Sequence, residues 1–362
     1  MKFDRVWFRN FRNLKDQSID VSYKQVFLIG ENGQGKTNML EVLYFLCYGN
    51  SFRTRNLREV TRHGSDDFLI GAEFHDVHED SREIILKYVE GKKTVLLDGR
   101  EIKDRREVIY NIPCVNFSYD DIDLIRGEPE FRRNFFDQSL SMYDPLYLDD
   151  LRHYKAVLKQ RNAAVKTNMK QMMETYNLLL ARYGLRIQKA RNEACSVLNM
   201  IFPDFYKNIA EDGRNLTLSY RPSWDGLDSE EKIAEYLGEN WERDQRMFST
   251  TSGIHRDRFI IYDQNGLFQN SGSTGQLRLA SLILRTAQAA FFRRQTGMNP
   301  VMLIDDVMLE LDSRRRGAFL EQLGSYSQAF FTFLLDEKYF SGDSDESSKC
   351  YHVINGQFEA QR

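Results

Sequence analysis

The 362-residue chain has no apolar run long enough to cross a bilayer, and Met1-Lys2-Phe3-Asp4-Arg5 carries charge where a secretion signal needs an apolar core. Both absences lead to the expectation of a cytoplasmic protein without a membrane partner. Cysteine is scarce: four residues, at 47, 114, 195 and 350, form no CxxC pair. They fit reduced, structural thiols and give no support for a zinc site. Positive charge is not in excess either, and a net charge of −3 excludes a uniformly basic nucleic-acid binder while leaving room for a local patch. Low-complexity segments are missing, and 41% hydrophobic residues suffice for a real core.

What is present begins with Phe27-Leu28-Ile29-Gly30-Glu31-Asn32-Gly33-Gln34-Gly35-Lys36-Thr37, a buried strand, a glycine-rich turn and a helix start with the spacing GxxxxGK[ST] intact. Glycines at 30, 33 and 35 let backbone N–H groups turn inward into a nest for an anion. In this phosphate-binding loop Lys36 is expected to neutralise the β- and γ-phosphates of a nucleotide and Thr37 to hold Mg²⁺. The helix opening at Asn38-Met39-Leu40-Glu41 aims its positive dipole end at the same charge.

The second informative stretch is Val301-Met302-Leu303-Ile304-Asp305-Asp306, four apolar residues ending in two carboxylates. A fully buried strand with an acid at its C-terminal edge brings that acid beside a phosphate loop. Asp305 is then the Mg²⁺ ligand and Asp306 the group that polarises the attacking water. Asp305 follows Lys36 by 269 positions, more chain than one simple nucleotide fold needs. The expected arrangement is a nucleotide-binding head split in sequence, with a second body inserted between its halves.

Strands are expected at 3–8 and 26–29 and a helix at 38–48. Residues 68–74, 83–89 and 94–97 read as short strands of an antiparallel sheet covering one side of the nucleotide core. The segment His75-Asp76-Val77-His78-Glu79-Asp80 has the composition of a charged hairpin tip rather than of a metal cluster. From 148 to 202 the apolar period is helical, with a weaker stretch near Thr167 and Asn168. Residues 151–193 of this body hold ten Lys or Arg against two Glu. A charge run often serves only as a solvated helix face, yet an excess of one sign is what binding to phosphate backbones needs. Lys155, Lys159 and Arg161 are its candidate DNA contacts, joined by Arg53 and Arg55 after the phosphate-loop helix.

Upstream of the acidic strand, Gly272-Ser273-Thr274-Gly275-Gln276-Leu277-Arg278 opens another apolar helix. Ser273 is expected to cap it and Gly275 to permit close backbone approach, making a second anion site.

These segments resemble ABC-type ATPase heads and, among them, the RecF family of bacterial recombination and repair proteins. The likeness runs in order through Arg9-Asn10-Phe11-Arg12-Asn13-Leu14, the phosphate loop, Ser51-Phe52-Arg53-Thr54, Val115-Asn116-Phe117-Ser118 with Asp121, Arg132-Arg133 with Asp137, Tyr154 to Arg161 with Asn162, and His255-Arg256-Asp257. Departures are Ile254 and Arg258 around that histidine, the lack of a glutamine between 111 and 125, and Thr332 where many ABC heads carry a switch histidine. The resemblance implies an α/β fold: a split ABC-type P-loop head with a small antiparallel β-subdomain and an inserted helical domain, divided as 1–140, 141–245 and 246–362. It makes Gly30 to Thr37 and Arg12 the ATP-binding set and Lys36, Asp305 and Asp306 the catalytic one. Ser273, Gly275 and Gln276 become a signature that completes a partner's site, and Glu310-Leu311-Asp312 a D-loop. It also implies an ATP-dependent homodimer on single- and double-stranded DNA at gaps or junctions, a weak DNA-stimulated ATPase, and RecO and RecR as partners in helping RecA replace single-strand-binding protein. Two other readings are an ATPase subunit of a transporter and a structural DNA clamp with a degenerate ATP site. The basic inserted body counts against the first, and intact Lys36, Thr37, Asp305 and Asp306 count against the second.

Overall fold

A computed structural model of the chain describes residues 1–307, 311–335 and 347–361. They form two compact units, Met1–Asp120 with Phe292–Arg362, and Asp121–Phe291. The first is thus built from both ends of the chain. The segments read from the sequence end at 140 and 245, whereas the compact units divide after Asp120 and Phe291. The reason is packing: helix Pro129–Ser141 lies against both long helices of the second unit and against strand Arg258–Asp263, which pairs with Thr217–Arg221 beside the helix Met173–Asn199.

Two six-stranded sheets make up the first unit. The core sheet has the order Gln357–Ala360, Ser348–Ile354, Gln25–Ile29, Gln328–Phe333, Val301–Ile304, Cys114–Phe117, parallel throughout except at the Gln357–Ala360 edge. Of its interior strands, Val301–Ile304 is a continuous apolar run, and it and Gln328–Phe333 are buried at every residue because both faces are covered, as in parallel sheets generally. Register aligns Leu303 with Phe330 and Phe330 with Val26, so the acidic end of Val301–Ile304 and the loop after Gln25–Ile29 emerge from the same edge.

The second sheet is antiparallel, in the order Gln17–Asp20, Lys2–Arg9, Phe68–His75, Ser81–Val89, Lys92–Leu97, Arg100–Glu101. It contains the three expected short strands and also the N-terminal strand. Phe3, Val6 and Phe8 alternate with exposed or half-exposed residues, the pattern of a half-buried antiparallel strand. Gln328 joins the sheets from the core side: its Nε2 donates to Phe3 O (3.0 Å), Tyr23 O (2.9 Å) and Val21 O, and its Oε1 accepts from Phe3 N (2.8 Å). At the hairpin tip, Asp76 Oδ1 accepts from His78 N and Asp80 N, holding the turn.

The second unit is mainly helical. Pro145–Lys166 and Met173–Asn199 are long helices broken at 167–172, the weak stretch of the periodicity. Smaller helices and a three-stranded sheet of Thr217–Arg221, Arg258–Asp263 and Gly266–Leu267 complete it. Its core is partly ionic. Arg161 is fully buried and bonds Asn177 Oδ1 (2.8 Å), Asp244 Oδ2 (2.6 Å), Thr250 Oγ1 (2.8 Å) and Leu237 O (3.1 Å). Arg191 bonds Asp137 (2.8 Å), Asp257 (2.8 Å) and Ile254 O (2.7 Å). Tyr154 and His255 share a 2.9 Å bond, and burial pushes His255 down to about 4, leaving it neutral. Among the described residues, no helix is long and apolar enough to cross a membrane.

Candidate functional site: a phosphate loop facing two carboxylates

The strand Gln25–Ile29 delivers the chain to Gly30, where a Cβ would stand 2.4 Å from Val353 O, so only glycine fits. Gly35 has φ +115°, a conformation closed to other residues, and leads directly into the helix Lys36–Tyr48. That helix has no side-chain cap and no acid in its first turn, leaving its N-terminal amides directed at the loop's interior. The loop is braced from outside. Asn13 Nδ2 donates to Gly33 O (2.8 Å), Gly356 N donates to Gln34 O (2.9 Å), and the Gln34 side chain accepts from Asn355 N. Lys36 is buried, its Nζ folded onto Gly30 O (2.8 Å) and Glu31 O (3.2 Å).

Across the loop, Thr37 Oγ1 donates to Asp305 Oδ1 at 2.9 Å, linking residues far apart in sequence. Thr332, from the adjacent strand Gln328–Phe333, bridges both acids: its Oγ1 lies 3.0 Å from Asp305 Oδ1 and 2.9 Å from Asp306 Oδ1, and accepts from Asp306 N at 2.7 Å. One hydroxyl proton serves either carboxylate, not both at once. Asp306 has φ +48°, uncommon for a residue with a Cβ, and the Thr332 bonds hold it there. Burial raises the Asp305 carboxyl to about 6, Asp306 adds to the rise, and the hydrogen bonds from Thr37 and Thr332 oppose it.

Lys36, Thr37, Asp305 and Asp306 line a cleft of about 370 Å³ together with Asn32, Gly33, Gly35, Asn38, Phe52, Arg53, Ser118, Tyr119 and Asp120. Polar oxygens from Thr37 and Asp305 converge as hard donors, which suits Mg²⁺ completing its shell with water and phosphate oxygens. Chemically the cleft can neutralise a triphosphate, hold a divalent cation and present Asp306 to a water.

Several expected residues lie elsewhere. Arg12 does not line the cleft: its Nε and Nη2 make a two-point pair with the buried Glu41 (2.9 and 2.8 Å) and its Nη1 reaches Glu59 O (2.6 Å). It braces the phosphate-loop helix instead, because Glu41 is a buried charge that needs a partner. Arg53, read as a DNA contact, lines the cleft, with Nη1 on Asn38 Oδ1 (2.9 Å). Arg161 cannot meet DNA, being buried and committed to Asp244. Arg55, Lys155 and Lys159 are exposed. The sequence reading placed Phe52 and Ser118 only in family-like segments, and assigned neither them nor Tyr119 and Asp120 to the site. Ser118, Tyr119 and Asp120 follow the strand Cys114–Phe117, which neighbours Val301–Ile304, a pairing no local pattern announces.

In the second unit, Ser273 and Gln276 form a reciprocal cap: Gln276 N donates to Ser273 Oγ (3.3 Å) and Ser273 N to Gln276 Oε1 (2.9 Å), ahead of the helix Thr274–Thr296. A Cβ at Gly275 would meet nothing within 4 Å, so this turn has an open approach. Asp312 caps the helix Ser313–Leu323 by accepting from Arg315 N (2.9 Å), while Glu310 lies outside the described residues.

The RecF/RecN/SMC N-terminal domain family matches residues 2–357. The DNA replication and repair protein RecF of Treponema pallidum is 39% identical over 96% of this chain and 98% of its own length. The chain belongs to the RecF family. RecF of Natranaerobius thermophilus is 31% identical over 99% of the chain and 97% of its own length. A solved structure of the recombination mediator RecF with ATP, in the RecFOR pathway, superposes with a TM-score of 0.90 at 28% identity, covering 99% of this chain and 97% of that one. An Smc head bound to the C-terminal winged-helix domain of ScpA shares the fold, with a TM-score of 0.58 at 14% identity over 99% of this chain and 96% of that one. The architecture of this RecF-family chain is therefore the mixed α/β ATPase head shared by RecF and Smc.

Proposed function

We propose that this chain is an ATP-switched DNA-binding protein of recombinational repair and replication restart. It dimerises on DNA at single-strand gaps and junctions when ATP is bound and acts with RecO and RecR in loading RecA. The observation that carries the reading is the 2.9 Å bond from Thr37 to Asp305, which unites the two halves of the split head around one cation site. The family of the chain and a relative solved with ATP support it.

In this reading Lys36 exchanges its carbonyl partners for the β- and γ-phosphates, and Thr37 and Asp305 hold Mg²⁺. Bound there, Mg²⁺ neutralises phosphate charge. Asp306, steadied by Thr332, orients and polarises the attacking water. Ser273, Gly275 and Gln276 of a second copy close over the γ-phosphate with the N-terminal end of their helix. ADP lacks the charge that this helix end attracts, so ATP holds the dimer and hydrolysis releases it, with turnover slow and stimulated by DNA. The exposed cations of the helical body, Lys155 and Lys159 among them, supply phosphate contacts. The division into 1–140, 141–245 and 246–362 belongs to this proposal as its functional parts.

The test is sedimentation of wild type, Lys36→Arg and Ser273→Arg with DNA and with ATP, ADP or no nucleotide. Dimers are expected only for wild type with ATP. Tight ATP-independent DNA binding by both variants would sink the switch.

A further inference from the structure

Four cations of the helix Pro145–Lys166, namely Arg152, Lys155, Lys159 and Lys166, fall within about 60° of its circumference at 100° per residue, forming one stripe roughly 21 Å long at 1.5 Å per residue. All four are exposed; Arg152, at the stripe's start, pairs with Asp149 at 3.9 Å, and beyond it no acid occurs between 151 and 173. At the end of this stripe the surface changes character. Met169 and Met172 in the turn, with Met247 and Phe248 after the helix Trp241–Arg246, are among the most exposed large apolar side chains of the molecule, Phe248 being 64% and Met247 63% exposed.

Phe248 is held at the stripe's end by bonds on both sides of it. Gln245 Nε2 donates to Asn168 Oδ1, and Thr250 donates through N and Oγ1 to Asn162 Oδ1, both at 2.7 Å. The segment bearing the ring is therefore clamped along residues 162–168, the part of the helix that carries Lys166. Ala164, Val165, Met173 and Trp241 pack together with Tyr176 in a buried cluster of the same helices. Phe248 itself sits at φ +51°, a left-handed conformation that bulky residues rarely adopt. Its backbone is fixed there by Phe248 N to Gln245 O (3.1 Å) and Ser249 N to Asp244 O (3.1 Å).

A docking site for an apolar protein helix would need no acid-free stripe running into it. A one-signed row of cations ending in a projecting ring matches a ligand whose charge is a phosphate row and whose end offers a bare π-face. The interior of a duplex offers no such face, because its bases are stacked on both sides. The nucleotide at a strand end or gap edge does. We propose that Phe248, flanked by Met247 and Met169, is a stacking platform for the unstacked base at the edge of a single-strand gap, while the stripe holds phosphates of the adjoining duplex. This rests on the DNA-binding reading above and deepens it, by assigning a place where a gap is told from a continuous duplex.

The experiment uses the full chain with ATP and two DNAs of equal length, one fully paired and one gapped, with 2-aminopurine at the gap edge. Wild type is expected to prefer the gapped DNA and to change the 2-aminopurine fluorescence on binding. Phe248→Ala, and Phe248→Asn, which suits the left-handed backbone, should lose about tenfold in affinity for the gapped DNA and none for the duplex. Both should lose the fluorescence change with melting temperature kept, and Phe248→Trp should retain it. The double variant Lys159→Glu/Lys166→Glu should weaken both DNAs alike and flatten the salt dependence of binding. If both ring-removing variants bind both DNAs like wild type, the platform is refuted while DNA binding stands, and so too if they lose only a protein partner. If wild type binds neither DNA, the functional reading itself fails.

Discussion

Asp305 is the residue under most tension in the cleft. Its carboxyl is lifted from 3.8 to about 6 by burial and by Asp306, so the folded chain holds that proton more tightly than the unfolded one. The sign follows: this contribution to stability is complete below about pH 4 and is lost as pH rises through about 6. Removing the charge should therefore stabilise the nucleotide-free protein near neutrality. Asp305→Asn is expected to gain about 1–2 kcal/mol at pH 7.5 and about half as much at pH 5, measured by urea denaturation at both values. An equal change at the two pH values would contradict the assignment. The same variant should lose Mg²⁺-dependent ATP binding, a stability gain bought with function. Asp306→Asn should keep ATP binding while single-turnover hydrolysis falls by about 10²-fold or more. Thr332 shares its one proton between the two acids, so Thr332→Val should slow hydrolysis and Thr332→Ser should restore it.

At the scale of elements, the helical unit is held by two buried arginines rather than by apolar packing alone. Arg161 ties the helix Pro145–Lys166 to Met173–Asn199 through Asn177 and to Trp241–Arg246 through Asp244. Truncating it leaves Asp244 buried without its partner, so Arg161→Ala should cost about 3–5 kcal/mol in denaturant unfolding. Lys155→Ala, on the exposed face, should stay within about 0.5 kcal/mol of wild type. Loss of DNA binding by an Arg161 variant would thus report unfolding, whereas loss by a Lys155 variant reports a contact. The cap formed by Ser273 and Gln276 belongs to this scale too. Ser273→Ala should weaken the start of the Thr274–Thr296 helix by about 1 kcal/mol, read as faster amide exchange in its first turn.

For the whole molecule, the central expectation concerns copies rather than single chains. If the signature of one copy completes the cleft of another, Lys36→Arg on one copy and Ser273→Arg on its partner fall in the same composite site. Mixing the two variants produces heterodimers with one site intact and one doubly damaged. Hydrolysis in that mixture should recover part of the wild-type rate, and no recovery at any mixing ratio would refute the composite site.

The phosphate loop, the acidic strand and the capped Ser273 helix were legible in the linear chain because each is a local pattern, in which glycine spacing, a buried apolar run or a capping pair specifies its own backbone. So were the two long helices and the three short strands, whose periods of 3.6 and 2 are written into neighbouring residues. Tertiary structure decided the rest. It turned Arg161 inward to Asp244 and Arg12 onto Glu41, since a buried carboxylate takes whichever cation the fold brings near, and spacing along a helix cannot reveal that partner. It carried Tyr119 into the cleft by pairing Cys114–Phe117 with Val301–Ile304, strands more than a hundred residues apart, brought Arg53 there beside Asn38, and set Thr332 between the two acids from the neighbouring strand. Local chemistry thus named the phosphate site from sequence, but which charges serve it, and which merely hold the fold, depends on long-range burial that only the folded chain defines.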